Sequence, residues 1–171
     1  MTGGRITRHE DEFERLFALL RAEGVRRYAE IGARDGNTFF KVMMALGEGA
    51  SGVAVDLPGG AWGWPDSALM LTKVCERLRR RGRLVETVFG DSASSPVIEA
   101  VAALGPFDAI LIDGDHSYAA ARADWTAYAP LARIVAFHDI APGERAPGIE
   151  IPRLWGEVKA DSSVARVEEI I

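Results

Sequence analysis

Five residues in the second half of the sequence carry side chains suited to metal or acid–base chemistry. Asp113, Asp115 and His116 lie in one short stretch, and His138 and Asp139 in another. Brought together, Asp113 and Asp139 would offer hard oxygen ligands to one divalent cation. A histidine at 138 tilts such a site from magnesium toward manganese, iron or another transition metal. His116 has an ordinary pKa of about 6.5, so it can take a proton near neutrality. A lone histidine is more often a packing or surface residue, but two histidines and three carboxylates in two stretches argue for a site. Asp113, His116 and His138 also have the inventory of a two-histidine, one-carboxylate iron triad, which would mean oxidation chemistry. Asp115 reads as a support for these groups or as a cap for the helix that follows.

A second group lies upstream. Glu30 leads into the turn Gly32-Ala33-Arg34-Asp35-Gly36, and Asn37 and Thr38 open the next helix. Glycines in such a turn let the backbone approach a ligand closely, and free N–H groups at a helix start suit a carboxylate or phosphate. Asp56 lies 20 residues beyond Gly36, the spacing at which an acid can take ribose hydroxyls. A nucleoside-containing cofactor is the sharper reading; a structural tight turn plus a strand-end aspartate is the plainer one. A dinucleotide would want G-x-G-x-x-G, and Arg34 occupies the middle position, which weakens the case for NAD.

These residues need a scaffold that delivers them to one place. Short, near-continuously apolar runs at 28–31, 52–55, 84–89, 107–112 and 134–137 read as strands covered on both faces. Helix-length segments separate them, at 37–46, 67–81, 96–104 and 118–129. Strand alternating with helix predicts a doubly wound, mostly parallel α/β sheet with right-handed crossovers. In such a sheet, ligands bind beyond the carboxyl ends of the strands. Glu30, Asp56, Asp91, Asp113 and Asp139 all leave strands at that edge. An amphipathic helix over about 7–23 precedes the sheet, with Phe13, Leu16, Phe17 and Leu20 on one stripe, a capping box from Thr7 to Glu10, and Gly24 as its end cap. A last helix starts near Pro152 and turns Leu154, Trp155 and Val158 inward. Residues 164–171 read as a sixth strand.

The 171 residues suit one domain. The composition is 48% hydrophobic and 26% charged, that of a folded protein rather than a disordered one. With 20 Lys and Arg against 25 Asp and Glu, the net charge of −5 argues against a nucleic-acid partner. The single cysteine, Cys75, excludes an internal disulfide framework and shares an apolar stripe with Leu71, Val74 and Leu78. No apolar run is long enough to cross a membrane, and the polar start lacks a secretory core, so a cytoplasmic location without a membrane partner is expected.

The sequence as a whole resembles the class I S-adenosylmethionine-dependent methyltransferases. The likeness is carried by Glu30-Ile-Gly32-x-x-x-Gly36, Asp56, Gly90-Asp91-Ser92, Ile112-Asp-Gly-Asp-His-Ser-Tyr118 and Phe137-His-Asp139. Within that superfamily it is similar to methyltransferase family 24, the bacterial branch that groups macrocin-type sugar O-methyltransferases with proteins labelled cephalosporin hydroxylase. The resemblance implies a Rossmann-like methyltransferase fold, S-adenosyl-L-methionine as cofactor, and transfer of its methyl group to a hydroxyl of a small molecule. It puts the cofactor loop on Glu30, Gly32, Ala33, Arg34 and Gly36, with Asn37 and Thr38 near the methionine carboxylate. Asp56 and Leu57 would meet the ribose, and Asp91 and Ser92 the adenine side, with Asp113 also at the cofactor. A divalent metal, magnesium or manganese, would be held by Asp113, His138 and Asp139, with His116 as general base. His138 departs from the family, which often has an acid there, and the superfamily's last strand is expected to be missing.

Three further expectations complete the reading. Trp62 and Trp64, in the Gly/Pro-rich loop after Asp56, are placed to fold over a ligand. Tyr118 sits where it could touch substrate. An exposed sheet edge and the amphipathic first helix allow a homodimer. A cofactor-binding protein without turnover and a metal-dependent hydroxylase are the alternatives to an O-methyltransferase.

Overall fold

A computed structural model describes residues 8–60, 65–141 and 148–170. The expected capping residue Thr7 and the loop residues Trp62 and Trp64 lie outside these. Five strands, β1 (Arg27–Ile31), β2 (Ser51–Asp56), β3 (Leu84–Phe89), β4 (Phe107–Ile112) and β5 (Ala132–Phe137), form one sheet in the order β3-β2-β1-β4-β5. Every pairing is parallel. Six helices connect or flank them: α1 (Arg8–Ala22), α2 (Asn37–Leu46), α3 (Ser67–Arg79), α4 (Ser95–Leu104), α5 (Tyr118–Tyr128) and α6 (Ile151–Ala160).

The apolar runs form strands because both faces of the sheet are covered. Successive strand residues point to opposite faces. Tyr28, Ala54, Ala109 and Leu111 therefore pack with Phe17, Phe39 and Leu71 from α1, α2 and α3. Their neighbours Ala29, Ile31, Val53, Val55, Ile110 and Ile112 pack with Val97, Val101 and Tyr128 from α4 and α5. Cys75 is fully buried in the first cluster, as its stripe implies. Leu154 and Val158 of α6 are buried with Ala121 of α5 in a smaller third cluster.

The carboxyl-terminal segment corrects the sequence reading. Residues 164–170 adopt no strand, and β5 is the edge of the sheet. One residue of the segment ties it to α6 instead. Glu169 accepts hydrogen bonds from Trp155 Nε1 and Lys159 Nζ, both at 2.7 Å. Among the described residues, no helix is long and apolar enough to cross a membrane.

Candidate active site

The strand order reverses direction of winding between β1 and β4, which opens a crevice at their carboxyl ends. The backbone ladder continues past the strands and fixes the tips relative to one another. Gly32 N–H donates to Val55 C=O at 2.9 Å, Asp113 N–H to Ile31 C=O at 2.8 Å, Gly90 N–H to Asp56 C=O at 2.9 Å, and His138 N–H to Ile112 C=O at 3.3 Å. All five acidic tips thereby reach one sheet edge.

Gly32 is required by two constraints. Its φ is 91°, and a Cβ there would lie 2.3 Å from the Asp113 carbonyl oxygen. Gly36, with φ of 81°, faces Leu71 and Val74 of α3 rather than the crevice, so its part is to seat α2. Between them Arg34 adopts φ of 50°, uncommon for a residue with a side chain. That conformation turns its N–H onto Asp56 Oδ1 at 2.8 Å. The other oxygen, Asp56 Oδ2, is buried without a partner. Burial raises the Asp56 carboxyl pKa, with the Arg34 N–H working against the shift.

The crevice is a cleft of about 720 Å³. Glu30, Gly32, Ala33 and Arg34 line it from the first turn, and Asn37 and Thr38 from the start of α2. Asp56 and Leu57 line it from β2, and Asp91 and Ser92 from the β3 tip. Asp113, His116, His138 and Asp139 close its other end. Glu30 is 1% exposed and accepts the Tyr28 hydroxyl at 2.7 Å. Burial pushes its carboxyl up to about 8, against the bond from Tyr28.

At the β4 and β5 tips two carboxylates and two imidazoles alternate in a closed ring. His116 Nε2 lies 3.4 Å from Asp113 Oδ1, and His116 Nδ1 lies 3.2 Å from Asp139 Oδ2. His138 Nδ1 lies 3.3 Å from both of those oxygens. Asp139 reaches its position through φ of 55°, a second uncommon backbone conformation at the site. The Asp113 and Asp139 carboxylates push the His138 pKa up to about 10, and Asp113 raises that of His116. Burial pushes the Asp113 pKa up, yet its two imidazole neighbours outweigh burial and hold it below the ordinary value.

This arrangement bears on the expected divalent metal. Among the described residues, no group of three His, Cys, Asp or Glu side chains is arranged to hold an ion. His138 Nδ1 stands 3.3 Å from both Asp113 Oδ1 and Asp139 Oδ2, so the charge of the imidazoles draws the two carboxylates together. As placed, the four side chains pair with one another rather than forming a site for magnesium, manganese or a triad-bound iron.

Other expected residues fall differently. Asp115 lines the cleft and accepts the Ser117 N–H at 2.8 Å, bracing the residue that caps α5. Tyr118 is turned away from the cleft. Its hydroxyl bonds Glu157 at 2.8 Å, and the Arg153 guanidinium lies 3.7 Å over its ring. Two site residues escape sequence reasoning. Phe13 of α1 lines the cleft, its ring 6.3 Å from that of His138 and nearly parallel at 11°; its spacing marks it only as part of an apolar stripe. Asp124, on the buried face of α5, is 1% exposed with neither carboxyl oxygen hydrogen-bonded. Burial raises its pKa to about 6. The Ser92 side chain works against that shift, and Asp124 Oδ2 would lie 3.3 Å from a Cβ at Gly114, so the carboxyl backs the cleft wall; Tyr128, four residues on, donates its hydroxyl to Ser92 C=O at 2.6 Å.

A family model described as a methyltransferase domain, that of methyltransferase family 24, matches residues 29–140. No curated protein sequence matches the chain. The fold is similar to that of the O-methyltransferase from Bacillus cereus in complex with S-adenosylhomocysteine, with a TM-score of 0.68 and 19% identity over 94% of this chain and 73% of that one. It is similar to cofactor-bound Rv0187 from MTB, with a TM-score of 0.68 and 21% identity over 93% and 72%. It is also similar to the O-methyltransferase TomG from Streptomyces achromogenes, involved in tomaymycin synthesis and in complex with S-adenosylmethionine, with a TM-score of 0.66 and 18% identity over 88% and 69%. Likenesses at this identity establish the Rossmann-like methyltransferase architecture.

Proposed function

Because the chain belongs to methyltransferase family 24, we propose that it is an O-methyltransferase that takes a methyl group from S-adenosylmethionine and passes it to a hydroxyl of a small molecule. The carrying observation is that one cleft joins an acid with one unpartnered oxygen, beside a glycine turn, to a ring of two imidazoles and two carboxylates. Asp56 Oδ2 is the buried acceptor without a donor, and a ribose hydroxyl would satisfy it. The complexes of the Bacillus cereus and Streptomyces achromogenes enzymes with S-adenosylhomocysteine and S-adenosylmethionine support the same ligand. When bound, S-adenosylmethionine supplies an electrophilic methyl group on a positively charged sulfur.

The chain's own residues divide the remaining tasks. Asp56 and Leu57 hold the ribose, and Asp91 and Ser92 bound the adenine side. The turn at Gly32 admits the ligand close to the backbone, while the start of α2 at Asn37 and Thr38 faces the amino-acid end. Asp113 makes that end of the cleft favourable for a cation, and Glu30 adds to it as pH rises through about 8. A hydroxyl is a weak nucleophile at neutral pH, and His116, neutral above its raised pKa, takes its proton as general base at the nitrogen that gives up its carboxylate contact, Nε2 to Asp113 or Nδ1 to Asp139. His138, positively charged at neutral pH, faces the oxygen on which negative charge develops.

Calorimetry with S-adenosylhomocysteine tests this reading. Saturable binding is expected, and Asp56→Asn, which turns an acceptor into a donor, should weaken it by about tenfold or more. No heat with the wild-type chain would reject the proposal.

A further inference from the structure

Behind the wall of the cleft lies a carboxyl that the proposed reaction does not use. Asp124 is on the buried face of α5, 1% exposed, and neither of its carboxyl oxygens is hydrogen-bonded. Burial raises its pKa from 3.8 to about 6, with the nearby Asp91 and Asp115 carboxylates adding to the rise. At neutral pH the group is therefore ionised, and a buried charge without a partner costs the fold stability. An apolar side chain of the same size would remove that cost. A carboxyl kept in such a place points to a task other than packing.

Two residues meet this carboxyl, and both line the cleft. The Ser92 side chain works against the raised pKa, as a hydrogen-bond donor beside a carboxylate does. Gly114 lies over the other side, where a Cβ would stand 3.3 Å from Asp124 Oδ2. Ser92 belongs to the β3 tip and Gly114 to the β4 tip, with β2 and β1 between those strands. The strands stand three spacings apart, about 14 Å, so the residues beyond their tips lean together for one carboxyl to reach both. Tyr128, one turn further along α5, donates its hydroxyl to Ser92 C=O at 2.6 Å. Asp124 and Tyr128, at i and i+4, thus approach the same residue from one face of the helix.

We propose that Asp124 is a positioning residue for cofactor binding: its carboxyl receives the Ser92 hydroxyl and holds the β3 tip against the β4 tip, which preforms the adenine end of the cleft. The inference rests on the methyl-transfer reading above and adds a residue to that same site. An ionised carboxyl can only accept, so it fixes the Ser92 hydroxyl as a donor toward α5. The β3 ladder bond from Gly90 N–H to Asp56 C=O lies two residues short of Ser92, so side chains from α5 fix what lies beyond it. With its carbonyl held by Tyr128 and its hydroxyl by Asp124, Ser92 has little freedom left to lose when the nucleoside arrives.

The test uses the full chain, calorimetry with S-adenosylhomocysteine, and thermal melts at pH 8. Asp124→Leu keeps the volume and removes the buried charge. It should melt higher than wild type yet bind S-adenosylhomocysteine about tenfold or more weakly, a gain in stability at the expense of binding that a packing role would not produce. Asp124→Asn, whose amide oxygen can still accept the Ser92 hydroxyl, should keep the affinity within about threefold. Ser92→Ala should weaken binding as Asp124→Leu does, and the double variant should be no weaker than either single one, because both break the same link. A leucine variant that binds like wild type, or one that folds but melts lower and binds weakly, overturns the inference. So do losses that add in the double variant. If the leucine variant does not fold, Asp124→Asn beside Ser92→Ala decides: affinity kept in the first and lost in the second supports the link, and any other pairing overturns it. A wild-type chain that binds no S-adenosylhomocysteine overturns the methyl-transfer reading and this inference with it, whereas every other refutation leaves that reading standing.

Discussion

Replacing Glu30 with glutamine isolates the consequence of burying a carboxyl at the heart of the cleft. The side chain is 1% exposed, and its carboxyl accepts the Tyr28 hydroxyl at 2.7 Å and faces the Phe39 backbone N–H. Burial is the largest cause of its raised pKa, with the negative charge of Asp113 adding to it, and the carboxyl titrates at about 8 instead of 4.5. The folded chain thus holds this proton more tightly than the unfolded chain does. The resulting stability is complete below pH 4.5 and is lost as pH rises through 8. At about 1.4 kcal/mol per pH unit, the ionised carboxylate costs the folded state about 5 kcal/mol at most. Glutamine has nearly the same shape, can still accept the Tyr28 hydroxyl, and carries no charge to bury. Urea denaturation of the two proteins should therefore coincide near pH 4.5 and diverge as pH rises, with Glu30→Gln the more stable by several kcal/mol above pH 8. Ligand binding should move the other way, because an anionic Glu30 favours the cationic donor. The variant's affinity for S-adenosylmethionine should fall, and the wild-type affinity should rise with pH as that of the variant does not. A variant uniformly less stable than wild type across the range would refute the reasoning, because it would mean that Glu30 is ionised and compensated in the folded chain.

Three further outcomes follow from the site. Gly32→Ala should destabilise the chain by about 2 kcal/mol or more, since it combines a positive φ with a Cβ 2.3 Å from the Asp113 carbonyl oxygen; a thermal melt equal to wild type would show that the turn relaxes. His116→Ala should lower kcat by about two to four orders of magnitude while leaving S-adenosylhomocysteine affinity nearly unchanged, measured by initial rates beside calorimetry. Because Asp113 raises the His116 pKa above 6.5, and a base must be unprotonated to work, the wild-type rate should climb with pH from above that value. Finally, with His116 and His138 supplying the proton transfer and the positive charge, exhaustive chelation should leave the methylation rate unchanged; a loss that added magnesium or manganese restores would show that Asp113, His138 and Asp139 hold an ion instead.

The candidate cofactor residues were legible because they sit where the fold class demands. Glu30, Asp56, Asp91 and Asp113 end apolar runs, and the strand–helix rhythm alone sends such residues to one edge. The Gly32 to Gly36 turn was visible for the same reason, although the two glycines have different duties, one admitting the β4 tip and the other seating α2 against α3. Phe13 was hidden because a helical period reports which face is apolar and not what that face covers. Residues 164–170 misled because their composition suits a strand, whereas side-chain bonds to Trp155 and Lys159 draw them to α6.

Local chemistry along the chain thus determined the order of strands and helices, the acidic strand ends and the types of group available for proton transfer, since periodicity and turn residues act over a few positions. Tertiary structure decided what those groups do together. Whether Asp113 and Asp139 share an ion or an imidazole depends on distances of a few ångströms between separate strands, and His138 Nδ1 stands at 3.3 Å from each. The large raise in the Glu30 pKa likewise comes chiefly from removal of water by the packed layers around it, an effect that exists only once the chain has folded.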